Sequence, residues 1–291
     1  MKLNVLESFL AISRSRSISG AAELLHISQP ALSRQIKELE EELGTKLFKR
    51  GSREMTLTAE GTLFRKRARQ ILDLVKKTSE ELSQSEKNIS GTIYIAGGET
   101  HSFRTVARTI KNIAAEYPDI HFNLFSGNAD DVTEQLDREG ADFGLVIEPA
   151  DVSRYDYMRL PAVDRWGVLM RKDCYLATKE AISPKEIWEL PLIYSRQAVQ
   201  GGQLSSWLKK DPEKLNIVAT YNLLFNASLL VEAGLGYALC LDKIINTECN
   251  SELCFRPLKP ELNSHVDLIW KKHQVFSPAA ELFLERIREE I

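Results

Sequence analysis

Apolar residues near the start of the chain recur at helical spacing. Val5, Leu6, Phe9 and Leu10 predict a first helix of about a dozen residues. Ser19-Gly20-Ala21-Ala22-Glu23-Leu24-Leu25 predicts a short second helix, with small residues that let a neighbour come close. Ser28 is a natural N-cap, Pro30 suits a first turn where a missing N–H costs nothing, and Gly44 suits the stop. A third helix is expected between them. At about 100° per residue, Leu32, Ile36, Leu39 and Leu43 fall within about 30° of one direction, and Pro30, Ser33, Arg34 and Lys37 lie roughly opposite. Residues 46–50 and 55–58 alternate like strands around Gly51-Ser52-Arg53-Glu54, which reads as a hairpin. From Ala59 to about Asn88 the pattern is one long helix with Thr58 as its cap. Phe64, Ala68, Ile71, Val75, Thr78 and Leu82 alternate by four and three, a seam of about three heptads. Arg65, Lys66, Arg67, Arg69, Lys76 and Lys77 leave that seam narrow. Pairing with a second copy of itself is therefore expected ahead of packing on its own body.

The third helix carries one apolar stripe and one polar edge, as a helix-turn-helix requires. The second helix of such a pair enters the major groove and reads bases near its N-terminus. Gln29 suits adenine, Arg34 suits guanine, and Ser33 suits either. An ordinary surface helix of a three-helix bundle has the same spacing. Lys49, Arg50 and Arg53 cluster at the hairpin tip, where a wing would touch phosphates or the minor groove. Charge adds a little to this picture. Residues 1–90 hold 16 Lys+Arg against 12 Asp+Glu, and residues 91–291 hold 22 against 29. A basic start on an acidic body points to a polyanion partner for that start alone.

Residues 17–36, SISGAAELLHISQPALSRQI, resemble the helix-turn-helix of LysR-type transcriptional regulators. Leu39-Glu40, Leu43-Gly44, Leu47-Phe48, Arg50, Leu57-Thr58 and Gly61 continue the resemblance through the winged region. The resemblance implies a multidomain chain. A winged helix-turn-helix head (1–58) and a long linker helix for dimerisation (59–90) precede an α/β two-lobed effector domain of the periplasmic-binding-protein type (91–291). It implies that Ser28, Gln29, Pro30, Ser33, Arg34 and Lys37 approach a double-stranded DNA operator, with Arg50 and Arg53 in the wing. Phe64, Ala68, Ile71, Val75 and Leu82 would join two copies, as a homodimer or homotetramer.

The remaining residues repeat strands and helices. Strands are expected at 91–97, 121–125 and 143–147, with helices at 103–117 and 130–138 between them. A second cycle has strands at 166–170, 192–194, 216–220 and 237–240, and helices at 184–188 and 223–233. The strand at 266–270 and the helix at 279–289 return to the first half. Lobe I thus holds about 91–162 and 265–291, and lobe II about 163–264. In such sheets a ligand sits beyond the carboxyl ends of the strands. The segments that fall there supply Glu99, Thr100, His101, Ser102, Asn128, Glu148, Ser195, Arg196, Gln197 and Gly202 as candidate effector contacts. Thr100, Ser102, Ser195 and Gln197 could donate to an anionic ligand. Glu99 and Glu148 would oppose the small carboxylate that many relatives bind. Either these acids face solvent, or the effector is neutral, amphoteric or cationic.

Catalysis finds no support. There is no Gly-x-Ser-x-Gly elbow, no phosphate loop, and five scattered histidines without metal-ligand spacing. His26 is expected to cap a turn in the head. No cofactor or metal is expected. Four cysteines, none in Cys-x-x-Cys, argue for a reducing cytoplasm. Cys249 and Cys254 could meet in a loop as a redox pair, although free cysteine is usually a small buried apolar group. The stretch 223–241 is broken by Asn226, Ser228 and Glu232, so no membrane span is expected, and no export leader is read at the N-terminus. A solute-binding protein would need such a leader and would have no use for residues 28–37. A metabolic enzyme would need a reactive group in the cleft. The expected function is a transcription regulator whose DNA contacts, and with them RNA polymerase access, respond to a small-molecule effector.

Overall fold

The computed structural model describes residues 1–50, 54–82, 89–200, 202–248 and 250–291. Of residues 50, 76, 77, 80–82, 199, 200 and 212 it describes the backbone alone. The chain divides into two compact units, Met1–Ser83 and Gln84–Ile291.

The first unit runs α1 (Leu3–Ser15), α2 (Ile18–Leu24), α3 (Gln29–Leu43), β1 (Phe48–Arg50), β2 (Met55–Leu57) and α4 (Ala59–Leu82). The caps are local and chemical. Ser17 accepts from Gly20 N at 3.3 Å, Ser28 accepts from Ala31 N at 3.4 Å, and Thr58 Oγ1 accepts from Gly61 N at 2.8 Å. Gly44 ends α3 at φ 65°, and His26 turns the chain between α2 and α3 at φ 53°. Phe9, Leu32, Ile36, Leu39 and Leu47 form the core, with the Phe9 ring edge-on to Phe64 at 4.8 Å. Leu43 departs from the expected stripe and is 40 % exposed. The chain turns at Gly44, and the fully buried Leu47 takes the core position.

The seam of α4 is corrected in its first half. Ala68 is buried, and Phe64, Ile71 and Leu72 pack on the head's own core, so the first two heptads do not wait for a second copy. The reason lies at Gly61. A Cβ there would stand 2.0 Å from the Leu47 carbonyl oxygen, so only glycine lets the first turn of α4 lie against the head. Val75 is half-buried, and Leu82 lies outside the residues whose side chains are described. Leu63 and Leu74, on another face of α4, are 60 % and 44 % exposed.

The second unit runs β3 (Gly91–Gly97), α5 (Phe103–Glu116), β4 (Ile120–Ser126), α6 (Ala129–Asp137), β5 (Phe143–Ile147) and β6 (Tyr155–Arg171). Then come α7 (Pro184–Ile187), β7 (Leu192–Ser195), α8 (Arg196–Gln200), α9 (Gln203–Leu208), β8 (Ile217–Tyr221), α10 (Leu224–Glu232) and β9 (Tyr237–Leu241). It ends with β10 (Leu253–Pro257), β11 (Asn263–Lys271) and α11 (Pro278–Glu289). Strands follow the order β4-β3-β5-β11-β6-β9-β7-β8, with β10 also on β6. The long β6 belongs to both lobes. Its residues 155–165 pair antiparallel with β11, and its residues 166–171 pair with β9 and β10. Lobe I packs Ile93, Val106, Phe143, Leu268 and Phe283 together, so α11 returns to the first half. Lobe II packs Val168, Met170, Ile187, Tyr194 and Leu208.

A candidate DNA-reading edge and an interlobe cleft

On α3, Gln29, Pro30, Arg34 and Lys37 are exposed, and Ser33 is half-buried. Ser28 is exposed with its hydroxyl engaged as the cap. The side chain of Arg34 is 82 % exposed, and its Nε lies 2.8 Å from Glu38, while Lys37 Nζ lies 3.6 Å from Glu41. Both pairs are exposed i,i+4 contacts that cost about 0.3–0.5 kcal/mol to break. Glu40, on the inner face, does a different job. Its carboxylate accepts from Leu47 N at 2.9 Å, from Phe48 N at 3.2 Å and from Lys46 Nζ at 2.7 Å. Burial opposes its charge, but Lys46 and the two amides outweigh that and hold its pKa below the ordinary carboxylate value. Glu40 thereby fixes the start of the wing to the reading helix. In the wing, Lys49 is exposed and Arg50 stands opposite Met55 in the ladder, while Arg53 lies outside the described residues.

The second unit holds a cavity between its lobes. Each parallel strand delivers its carboxyl end to it: Gly98 and Glu99 after β3, Gly127 and Asn128 after β4, Ile147 and Glu148 at β5, Ser195 at β7, and Tyr221 and Asn222 at β8. Trp166, Leu223, Leu224, Leu241 and Ile244 supply apolar wall.

Five expected contacts line this cavity: Glu99, Asn128, Glu148, Ser195 and Gln197. The other five do not. Thr100 and Ser102 both give their hydroxyls to the buried Asp164, Ser102 at 3.0 Å to Oδ1, so neither donor is free for a ligand. His101 borders a separate groove with Asp164 and Asp242. Arg196 points into solvent, and Gly202 serves as the N-cap of α9 at φ 71°. The sequence reading missed Trp166, Leu241, Ile244 and residues 221–224. The last group follows β8 as Ser195 follows β7, so the same strand-end rule applied one strand further would have found it.

Across the cavity each lobe caps a helix of the other. Glu99 of lobe I accepts from Leu224 N at the start of α10, at 2.6 Å. Gln197 of lobe II accepts from Ala129 N at the start of α6, at 3.3 Å. Asn128 and Asp131 close a reciprocal capping box on α6, each bond 3.0 Å. Glu148 pairs with Arg159, whose Nε also lies 3.0 Å from the buried Asp267. The Tyr221 hydroxyl donates to the Leu239 carbonyl at 2.7 Å, and burial pushes its pKa well up. Thus, among the described residues, the lining has apolar walls, two carboxylates and no lysine or arginine.

Two family models match the chain. The model for the bacterial regulatory helix-turn-helix protein of the lysR family matches residues 3–62, and the LysR substrate binding domain matches residues 86–291. The chain belongs to the LysR family. This LysR-family protein is accordingly a DNA-binding transcription regulator with an effector-binding domain, and not an enzyme. It is similar to the HTH-type transcriptional regulator BsdA of Bacillus subtilis, at 34 % identity over 75 % of this chain and 74 % of BsdA. It is also similar to the uncharacterized HTH-type transcriptional regulator YfeR of Shigella flexneri, at 25 % identity over 99 % of this chain and 94 % of YfeR. In fold it matches the crystal structure of full-length CbnR complexed with its target DNA, with a TM-score of 0.75, 17 % identity and full coverage of both chains.

Among the described residues no group of His, Cys, Asp or Glu could hold a metal ion, and no helix is long and apolar enough to cross a membrane. Cys240 and Cys254 are buried free thiols whose pKa burial pushes up, which suppresses the reactive thiolate. Cys249, the partner considered for Cys254, lies outside the described residues.

Proposed function

We propose that this LysR-family regulator acts in the cytoplasm as a homodimer or homotetramer on a two-fold duplex operator. The exposed edge of α3 carries the reading, with Gln29, Ser33 and Arg34 toward base edges, Ser28 and Pro30 at the docking end, and Lys37 toward phosphate. Arg50 and Arg53 of the wing add phosphate or minor-groove contacts. The observation that supports this most is the exposure of Arg34 and Lys37, both tied only weakly to carboxylates on the same helix. DNA phosphates replace those partners at small cost.

Pairing of copies is assigned to the exposed Leu63 and Leu74 face of α4, with Val75 and Leu82 further along the same helix. The edge strands add further apolar surface at Leu124 and Phe125 of β4 and Val218 of β8. The effector occupies the interlobe cavity against Glu99, Asn128, Glu148, Ser195 and Gln197. It shifts the regulator only as far as it binds one lobe arrangement better than another, and the change in bound DNA alters RNA polymerase access.

Arg34→Ala tests the reading edge. Specific operator affinity is expected to fall by about 1–3 kcal/mol, with relaxed preference at one base pair and little change in stability. A folded variant with unaltered gel-shift affinity and base preference would refute the assignment.

A further inference from the structure

We propose that the effector of this protein carries a cationic nitrogen, an amine on an apolar body, rather than the carboxylate that a helix-lined cleft ordinarily suits. The proposal rests on the interlobe cavity being the effector site and adds the ligand's charge. Its basis is the charge of the described lining residues and the one unengaged oxygen of Glu99. The helix starts that face a cleft of this fold are natural seats for an anion. Here the chain's own oxygens already take one or two of the amides at two such starts. Leu224 N of α10 gives its hydrogen to Glu99 Oε2, Ala129 N of α6 to Gln197 Oε1, and Asp131 N to Asn128 Oδ1. An incoming carboxylate finds these three amides already bonded, meets no lysine or arginine among the described lining residues, and faces the carboxylate of Glu99.

A cation meets the opposite situation. Glu148 is neutralised by Arg159 and also accepts from His265 N at 3.4 Å, so it has little charge to offer. Glu99 differs. One oxygen is held by a backbone amide, and the other, Oε1, has no partner among the described residues. A fixed, half-buried carboxylate with one free oxygen makes a charge-assisted hydrogen bond to an ammonium without having to reorganise. Trp166, Leu223, Leu241 and Ile244 then cover the apolar body.

Matched probes on the full-length chain test the charge. The set is 2-phenylethylamine, phenylacetate and 2-phenylethanol, with hexylamine, hexanoate and hexanol as the aliphatic counterparts. Thermal shift and titration calorimetry are the readouts. At least one amine should raise the melting temperature and bind tenfold or more tightly than its carboxylate. Glu99→Gln should erase that preference, and Glu99→Asp should keep part of it, which guards against a simple folding defect. A carboxylate that binds as well as its amine, an amine preference surviving in Glu99→Gln, or silence toward both amines would overturn the proposal. The cleft reading has its own arm. Ser195→Phe narrows the cavity and should remove the binding of every probe. Amine binding untouched by Ser195→Phe would instead place the site elsewhere.

Discussion

Replacing Glu40 by alanine removes the single acceptor for two buried amides. Leu47 is 1 % exposed and Phe48 7 %, so water cannot substitute freely. An unsatisfied buried N–H costs about 1–3 kcal/mol, which makes two worth about 2–6 kcal/mol. The third bond counts for less. Lys46 is 72 % exposed, and an exposed pair contributes about 0–1 kcal/mol. Glu40→Ala should therefore destabilise the head by about 3 kcal/mol, or roughly 12–24 °C in its melting temperature. Glu40→Gln keeps a carbonyl oxygen for the amides and should lose about 1 kcal/mol. Hydrogen exchange by mass spectrometry on the full chain reads both effects directly. Peptides covering Leu47 and Phe48 should lose protection in the alanine variant and largely keep it in the glutamine variant. Operator affinity should fall with it, because the wing is no longer fixed to the reading helix. The pH dependence has a definite sign. The folded pKa of Glu40 is depressed below its ordinary 4.5, so its contribution is present above that value and fades as pH falls through the folded value. Equal protection of residues 47 and 48 in the wild type and Glu40→Ala would refute the reasoning.

The exposed face of α4 gives a second test. Leu63→Asp and Leu74→Asp should weaken self-association in sedimentation without unfolding the head, whereas Ile71→Asp should lower head stability by about 2 kcal/mol or more because it places a charge against the core. A wild-type sedimentation profile for the Leu63→Asp, Leu74→Asp double variant would remove α4 from the pairing surface. In lobe II, the Lys179 ammonium and then the Ser183 hydroxyl and amide hold Glu186 down at about 2. Its folded pKa lies below the unfolded 4.5, so its stabilisation is full above 4.5 and is lost between about 4.5 and 2. After allowance for solvent screening, Glu186→Gln should flatten the acid limb of the melting curve by about 1 kcal/mol, and an unchanged limb would contradict it.

The elements written by local chemistry were legible in the residues. Ser28, Pro30 and Gly44 bracket α3 because caps and stops act within a few bonds, and the strands 91–97 and 143–147 are short runs rich in apolar, mostly buried residues. The face of α4 was less legible. A seam that alternates by four and three looks the same whether it meets a second helix or its own head. The deciding contact, Gly61 on the Leu47 carbonyl, joins residues far apart in sequence. Residues 155–165 of β6 were missed because their burial does not alternate cleanly: only Tyr155, Leu160 and Asp164 are buried there. In the cleft, the strand-end rule found Glu99, Asn128, Glu148, Ser195 and Gln197. It failed at Thr100 and Ser102, whose hydroxyls turn to Asp164, because no local signal announces a buried carboxylate more than sixty residues away.

The continuity of β6 limits how the effector domain can respond. At Arg165 the strand still pairs with Asn263 of β11, and at Trp166 it already pairs with Leu241 of β9. One uninterrupted ribbon thus carries torsion from either half to the other, and its swivel point is this pair of residues. Wide gaping of the jaws would tear ladder bonds, while a small twist leaves them whole. Since Trp166 also forms part of the cavity wall, a molecule seated there presses on the pivot itself. The expected output is a stiff, shallow rotation, with a short lever arm at its origin.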